Sequence, residues 1–349
     1  MASPSERNVT IDVAKGISII LVAFGHSQLK RHYPDIHTTL GLIRMPLFFF
    51  LSGVFFSSFI SPASFFLKKT DALLKPYFVT LSVAALIYLL LDEPGIKNYI
   101  FGVLYGTGQT LPKFWIALWF LPHLWLVCLA AYVVQKYSVL ARLPTSTQIL
   151  ICLLALTVSG YFIDIFRFIE ITHADSSVQI TGLPFSADLL VVTLSYFLVG
   201  TALNVQVKTF RPNALIVVGC FIIYACIIYF TDAFLELNSR QFQAPVWCII
   251  GSAIGIYLML SLAYGLTKIP HVGRWLMTAG YTSLFILLFH GLIKGLAYKP
   301  LVKLFGKEHK VAAGLIAFLL SITLPLVIKW LVERHSILRK LYLPIRKKS

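Results

Sequence analysis

The stretch Ile11–His26, IDVAKGISIILVAFGH, is an apolar, membrane-length run, yet it carries Asp12 and Lys15 near one end and His26 at the other. Lipid contact favours none of the three. Lys15 and His26 are eleven positions apart. At roughly 100° and 1.5 Å per helical residue they share a face to within about 20° and lie roughly 16 Å apart along the axis. Asp12 stands one turn before Lys15 and can pair with it. The helix thus has a polar stripe, with an ion pair at one end and an imidazole well towards the other. Gly16 and Gly25 permit close approach by a neighbouring helix or a ligand. Intramembrane ionisable groups usually face an interior cavity, and imidazole is the side chain best suited to proton transfer near neutral pH. The plainer alternatives are an interhelical hydrogen bond for His26 and a membrane-interface position for Asp12 and Lys15.

Around this stretch the chain of 349 residues is 58% hydrophobic and 13% charged, with a mean hydropathy of +0.82. Soluble domains carry about 25% charged residues. Apolar runs near 20 residues recur, so the expected fold is an all-α integral membrane protein, a bundle of about ten transmembrane helices. The runs fall at 13–30, 41–60, 73–91, 114–134, 147–166, 186–204, 213–231, 245–267, 277–297 and 310–332. This divides the chain into a short N-terminus (1–12), a transmembrane domain (13–332) and a basic tail (333–349). Segment 95–112 reads as a loop, an interfacial helix or a re-entrant piece, and the third span ends early at Asp92-Glu93-Pro94. The polar start and the lack of a small-residue cleavage site argue against a cleaved signal peptide.

The formal net charge is +16. The basic residues sit between spans, which points to topology and anionic headgroups rather than nucleic acid. Ten spans put both termini on one side. With that side cytoplasmic, the Lys/Arg of the connections and ends lie in modest excess inside, with Arg7 and the tail's Arg346, Lys347 and Lys348 among them. The five lysines of KGLAYKPLVKLFGKEHK oppose this assignment, but every inside connection is basic, so both termini are expected in the cytoplasm. The cysteines Cys128, Cys152, Cys220, Cys226 and Cys248 lie in apolar segments without a CxxC pair and read as packing residues. No metal site is expected.

Two further histidines lie in spans: His123 beside Pro122, and His290 in TSLFILLFHGLIKGL. The topology allows both to line one cavity with His26; the alternative for each is structural. In FFLKKTDALLKPYF, Lys68, Lys69 and Lys75 precede Tyr77 and read either as topology signals or as a phosphate-binding patch. Arg142, Lys208, Arg211 and Arg274 could extend that patch. RMPLFFFLSGVFF places Arg44 at the start of the second span and Ser52-Gly53 within it. There is no Gly-x-Ser-x-Gly elbow, HExxH, Walker loop or GxGxxG. Asp164, Arg167, Glu170, Asp175 and Asp188 are unpatterned charges of the outer loops.

At these motifs the chain resembles the membrane-bound acyltransferase family 3. The family's first helix carries Arg or Lys, ten residues, then His, here Lys15 and His26. PLFFFLSGVFF, FLKKTDALLKPYF, LWFLPHLW (with Trp119 and His123) and SLFILLFH (ending at His290) match later family landmarks in order. The wording DVAKGI and WFLP is closest to the fucose 4-O-acetylase-like branch. Lys15 stands where many members have Arg, and lysines replace an Arg-x-x-Arg pattern found in some.

The resemblance implies transfer of an acyl group, commonly acetyl, from cytoplasmic acetyl-CoA to a hydroxyl of an extracytoplasmic or lipid-linked glycan. It implies a multi-pass protein of the bacterial inner membrane. His26 would be the general base, with a covalent acetyl-histidine as the variant mechanism. Asp12, Lys15, His123, His290, Ser52 and Trp119 would support it, and Lys15, Lys68, Lys69, Lys75 and Tyr77 would hold the acyl-CoA. Rival readings are a transporter or lipid-linked glycan flippase without thioester chemistry, and a structural subunit of a glycan-export complex.

Overall fold

The computed structural model describes residues 8–90, 96–173 and 176–345. Arg7, Asp92-Glu93-Pro94, Asp175, Arg346, Lys347 and Lys348 lie outside the described residues. The fold is a helical bundle. Its first helix, α1 (Val9–Gly25), is capped by Asn8, whose side chain accepts the Ile11 N–H at 3.2 Å. Asp12 in the first turn suits the positive end of the helix dipole. The helix stops one residue before His26, and a short α2 (Leu29–His32) leads into α3 (Pro34–Val54).

Among the described residues, eight helices are long and apolar enough to cross a membrane: Pro34–Val54, Pro62–Leu90, Ile116–Tyr137, Thr145–Phe166, Pro184–Ala202, Pro245–Thr267, Ser283–Phe305 and Lys307–Arg334. The other two expected spans, α1 and Ala214–Phe230, form helices of 17 residues each. At about 1.5 Å per residue, each is shorter than the roughly 30 Å hydrocarbon core.

Several boundaries move for local reasons. The second span starts at Pro34 rather than 41, because proline at the first helical turn forfeits no hydrogen bond. Arg44 is therefore well inside a helix, not at its start. The third begins at Pro62, capped by Ser61, so Lys68 and Lys69 are helical. Residues 277–297 are not one span: the chain breaks at Thr282 between Pro270–Tyr281 and Ser283–Phe305. Part of segment 95–112 is a helix, Ile96–Tyr105, too short to cross a bilayer. It is tied down by Tyr99 Oη donating to the Leu81 carbonyl at 2.6 Å and Tyr105 Oη to that of Gly182 at 2.8 Å.

The core sits around α1, which packs against α3, Pro245–Thr267, Pro270–Tyr281 and Ser283–Phe305. Two crossings bring backbone against backbone. A Cβ on Gly16 would stand 2.0 Å from the Leu276 carbonyl oxygen, and one on Gly280 would stand 2.5 Å from that of Asp12. Gly53 and Gly200 meet Phe197 and Phe50 in the same manner, at 1.9 and 2.0 Å. Only glycine permits these approaches, which fix how α1 and α3 lie in the bundle.

The described residues also form two antiparallel hairpins: β1 (Ile169–His173) with β2 (Ser176–Ile180), and β3 (Phe234–Glu236) with β4 (Gln241–Gln243). In the second, Arg240 is left-handed (φ 54°) with a fully buried side chain. Its guanidinium donates to both carboxylate oxygens of Asp188, at 2.8 and 3.1 Å, and to the Asn238 carbonyl at 2.9 Å.

Candidate active site

At the Lys15 end of α1 a cavity of about 410 Å³ opens between α1, α3, Pro62–Leu90 and Ile116–Tyr137. Lys15, Ser52, Lys69, Phe48 and Phe120 are among its lining residues. Lys15 is half-buried, 3.8 Å from Asp12, with its ammonium 4.0 Å above the Phe55 ring. Lys208 reaches the same ring at 5.7 Å. Lys69 joins the lining immediately before the helix Pro62–Leu90 widens into a π-turn at Thr70–Leu74, which Trp125 Nε1 braces by donating to Thr70 Oγ1 at 3.0 Å. Ser52 Oγ donates to the Phe48 carbonyl at 2.8 Å, an intrahelical bond.

At the far end of α1, His26 borders two narrow spaces. One, of about 20 Å³, is shared with Trp119 and with Phe48, Phe120 and Leu287, which also line the large cavity. The other, of about 30 Å³, is shared with Gly25, Arg44, Trp119, Glu236 and Asn238. His26 therefore lies between the Lys15-side cavity and a narrow space that Arg44, Glu236 and Asn238 border on the β3–β4 side. The Phe48 and Phe120 rings, 4.5 Å apart edge to face, partition the first pair of spaces.

The His26 ring makes no hydrogen bond to another protein group among the described residues. Its neighbour is His290, with ring centroids 5.5 Å apart. His290 Nδ1 lies 2.8 Å from the Ile286 carbonyl and so carries the proton it donates there. Its Nε2 is then a bare acceptor, buried and unpartnered. One turn further on, Lys294 Nζ donates to the His26 carbonyl oxygen. On the other side Arg44 Nη2 donates to Glu236 Oε2 at 2.9 Å.

The other residues singled out in the sequence lie elsewhere. His123 is fully buried: Nδ1 donates to the Phe185 carbonyl at 3.1 Å and Nε2 meets Thr193 Oγ1 at 2.9 Å. Both nitrogens are occupied, and the ring pins the left-handed turn Phe185–Ser186. It touches the site only through Trp119, at 5.5 Å between centroids. Lys75 pairs with Asp71 at 2.5 Å and donates to the Leu343 carbonyl at 2.7 Å, anchoring the end of the chain. Tyr77 is fully buried and donates to the Val103 carbonyl at 2.7 Å. Lys68 is exposed outside the cavity lining, as are Arg142, Arg211 and Arg274. Asp188, one of the unpatterned outer charges, is the buried partner of Arg240.

Glu236, Asn238 and Lys294 carry no family landmark in the sequence and join the site through the β3–β4 hairpin and the helix Ser283–Phe305. A signal existed for Lys294 alone: a lysine four residues after an intramembrane histidine lies on the same helical face. Among the described residues, no group of three or more His, Cys, Asp or Glu comes together as a metal cluster.

No curated protein and no solved structure gives a significant match to the chain. A family model does, the acyltransferase domain of acyltransferase family 3, over residues 8–332. That match covers nearly the whole bundle, including both ends of α1 and the helix that carries His290, and on it the chain belongs to the acyltransferase family 3.

Proposed function

We propose that this membrane acyltransferase moves an acetyl group from acyl-CoA, held at the Lys15 side, to a hydroxyl of a glycan or lipid-linked glycan that enters from the β3–β4 side. The observation that carries this reading is the position of His26. It borders both narrow spaces, one adjoining the Lys15 cavity and one reaching Arg44 and Glu236. Lys15, Lys69 and Lys208 supply positive charge at the first mouth for the phosphates of the nucleotide, and the flexible pantetheine arm follows α1 inwards. With the Lys15 end cytoplasmic, donor and acceptor meet from opposite faces of a bacterial inner membrane.

In the reaction His26 takes the proton of the acceptor hydroxyl as its oxygen bonds to the thioester carbonyl carbon. The carbon–sulfur bond then breaks, and the thiolate recovers the proton from the imidazolium. A ring without a protein partner is available for this. His290, with its proton committed to the Ile286 carbonyl, presents only an acceptor to the site and cannot itself donate to the thioester. Trp119 borders both narrow spaces and shapes the slot in which the carbonyl is attacked.

The test is thiol release. Purified protein in liposomes should liberate free CoA from acetyl-CoA when glycan acceptor is present, and His26→Ala should lose that release while inserting and melting normally. Transport of solute without thioester consumption, or thiol release intact in His26→Ala, would overturn the reading. Mass spectrometry of surface glycans from cells with and without the protein identifies the acceptor by the loss of one acyl mass.

A further inference from the structure

Four cations gather beside the His26 end of α1. Lys294 is half-buried and turned onto the His26 carbonyl. Lys30 and Arg31 of α2, and Lys113 of the turn before Ile116–Tyr137, lie within electrostatic reach of its ammonium. The packing fixes this arrangement. Phe114 lies over Gly291 and Gly295, where an added Cβ would meet it at 2.3 Å, and this brings its neighbour Lys113 to the helix that carries Lys294. Leu29 seats α2 against Gly314.

None of the four cations is in an ion pair among the described residues. Glu236, the acid lining the adjoining space, is taken by Arg44. Asp35, in the first turn of α3, pairs with none of them. Gathering like charges beside a half-desolvated ammonium costs free energy, which an incoming anion offsets. Membrane headgroups account for the exposed Lys30, Arg31 and Lys113. They do not account for Lys294, drawn inwards to the residue that borders both spaces.

We propose that Lys294, Lys30, Arg31 and Lys113 form an anion subsite for the acceptor, so that the preferred substrate is a sugar carrying a carboxylate or phosphate. The proposal rests on the acyl-transfer reading for what happens next to the bound sugar, but its binding test stands alone. Wild type and the Lys30→Gln/Arg31→Gln/Lys113→Gln variant are placed in phosphatidylcholine nanodiscs. Binding of a fluorescent oligogalacturonate and of a neutral galactose oligomer of equal length is followed by anisotropy.

Exposed charge pairs contribute up to about fivefold each, so wild type should prefer the uronate by about tenfold or more, and the triple variant should lose most of that ratio. Lys294→Met should lower the ratio too. Raised salt should weaken the preference. Equal binding of the two oligomers, or a ratio unchanged in the triple variant, overturns the proposal. So does loss of the preference in phosphatidylglycerol nanodiscs, which would assign the cluster to lipid headgroups. Thiol release from acetyl-CoA by the same samples reads the transferase separately: an intact uronate preference with no thiol release refutes the transferase and leaves the subsite.

Discussion

Replacing Gly25 by alanine probes the far side of His26 without touching its ring. A Cβ at this position would lie 1.9 Å from Arg44 Nη1 and 2.7 Å from its Cζ. Ordinary contacts begin near 3.5 Å, so the guanidinium must retreat by roughly 1.5 Å. The Arg44–Glu236 bond, now 2.9 Å, would then exceed hydrogen-bonding distance. A charge-assisted hydrogen bond between partly buried groups contributes about 1.5–3 kcal/mol. If that pair orders the acceptor side, turnover should fall roughly ten- to hundredfold. Stability should fall, because the lost bond outweighs the up to about 1 kcal/mol by which alanine is favoured over glycine in a helix. Gly219→Ala makes the same chemical change where nothing lies within 4 Å, and it should leave turnover unchanged. Thiol release and thermal unfolding in detergent measure both quantities. A Gly25→Ala enzyme within twofold of wild type would refute the reasoning, as would an equal loss in the Gly219 control.

Phe48→Ala removes one ring of the partition between the large cavity and His26; the ratio of butyryl-CoA to acetyl-CoA turnover should rise several-fold, and a ratio that stays put would show that the ring does not gate the arm. Asp188→Asn strips the charge from a fully buried pair and leaves Arg240 without compensation. It should destabilise the protein by about 3–5 kcal/mol, seen as a lowered melting temperature at unchanged expression.

The Asp12–Lys15 pair was legible because one helix encodes it, while His26 lies one residue beyond that helix, at its C-cap. Spacing alone relates Lys15 to His26, and the family match includes both. The apolar runs marked the helices for the same reason, with errors where a proline or serine cap starts a helix inside a polar sequence, as at Pro34 and Pro62. What depends on contacts between distant segments was not legible. Lys69 and Lys75 look equivalent in sequence, but the first lines the cavity while the second is taken by Asp71 and the Leu343 carbonyl. His123 and His290 look alike too. Only the packing shows one with both nitrogens engaged and the other with a bare acceptor beside His26. Asp188 reads as an unpatterned loop charge until Arg240 is placed opposite it, and nothing in the sequence marks Glu236 as the partner of Arg44.

The Arg240–Asp188 clamp has a bearing on turnover. A loop whose tip is welded to the bundle by a dry, two-pronged ionic contact behaves as wall, not door. On the proposed reading a sugar would come to a rim of fixed shape, and the thioester would pass the Phe48 and Phe120 rings on the opposite flank. Selectivity for the sugar would then be set by static form, and the pace of the cycle by how often those rings swing aside.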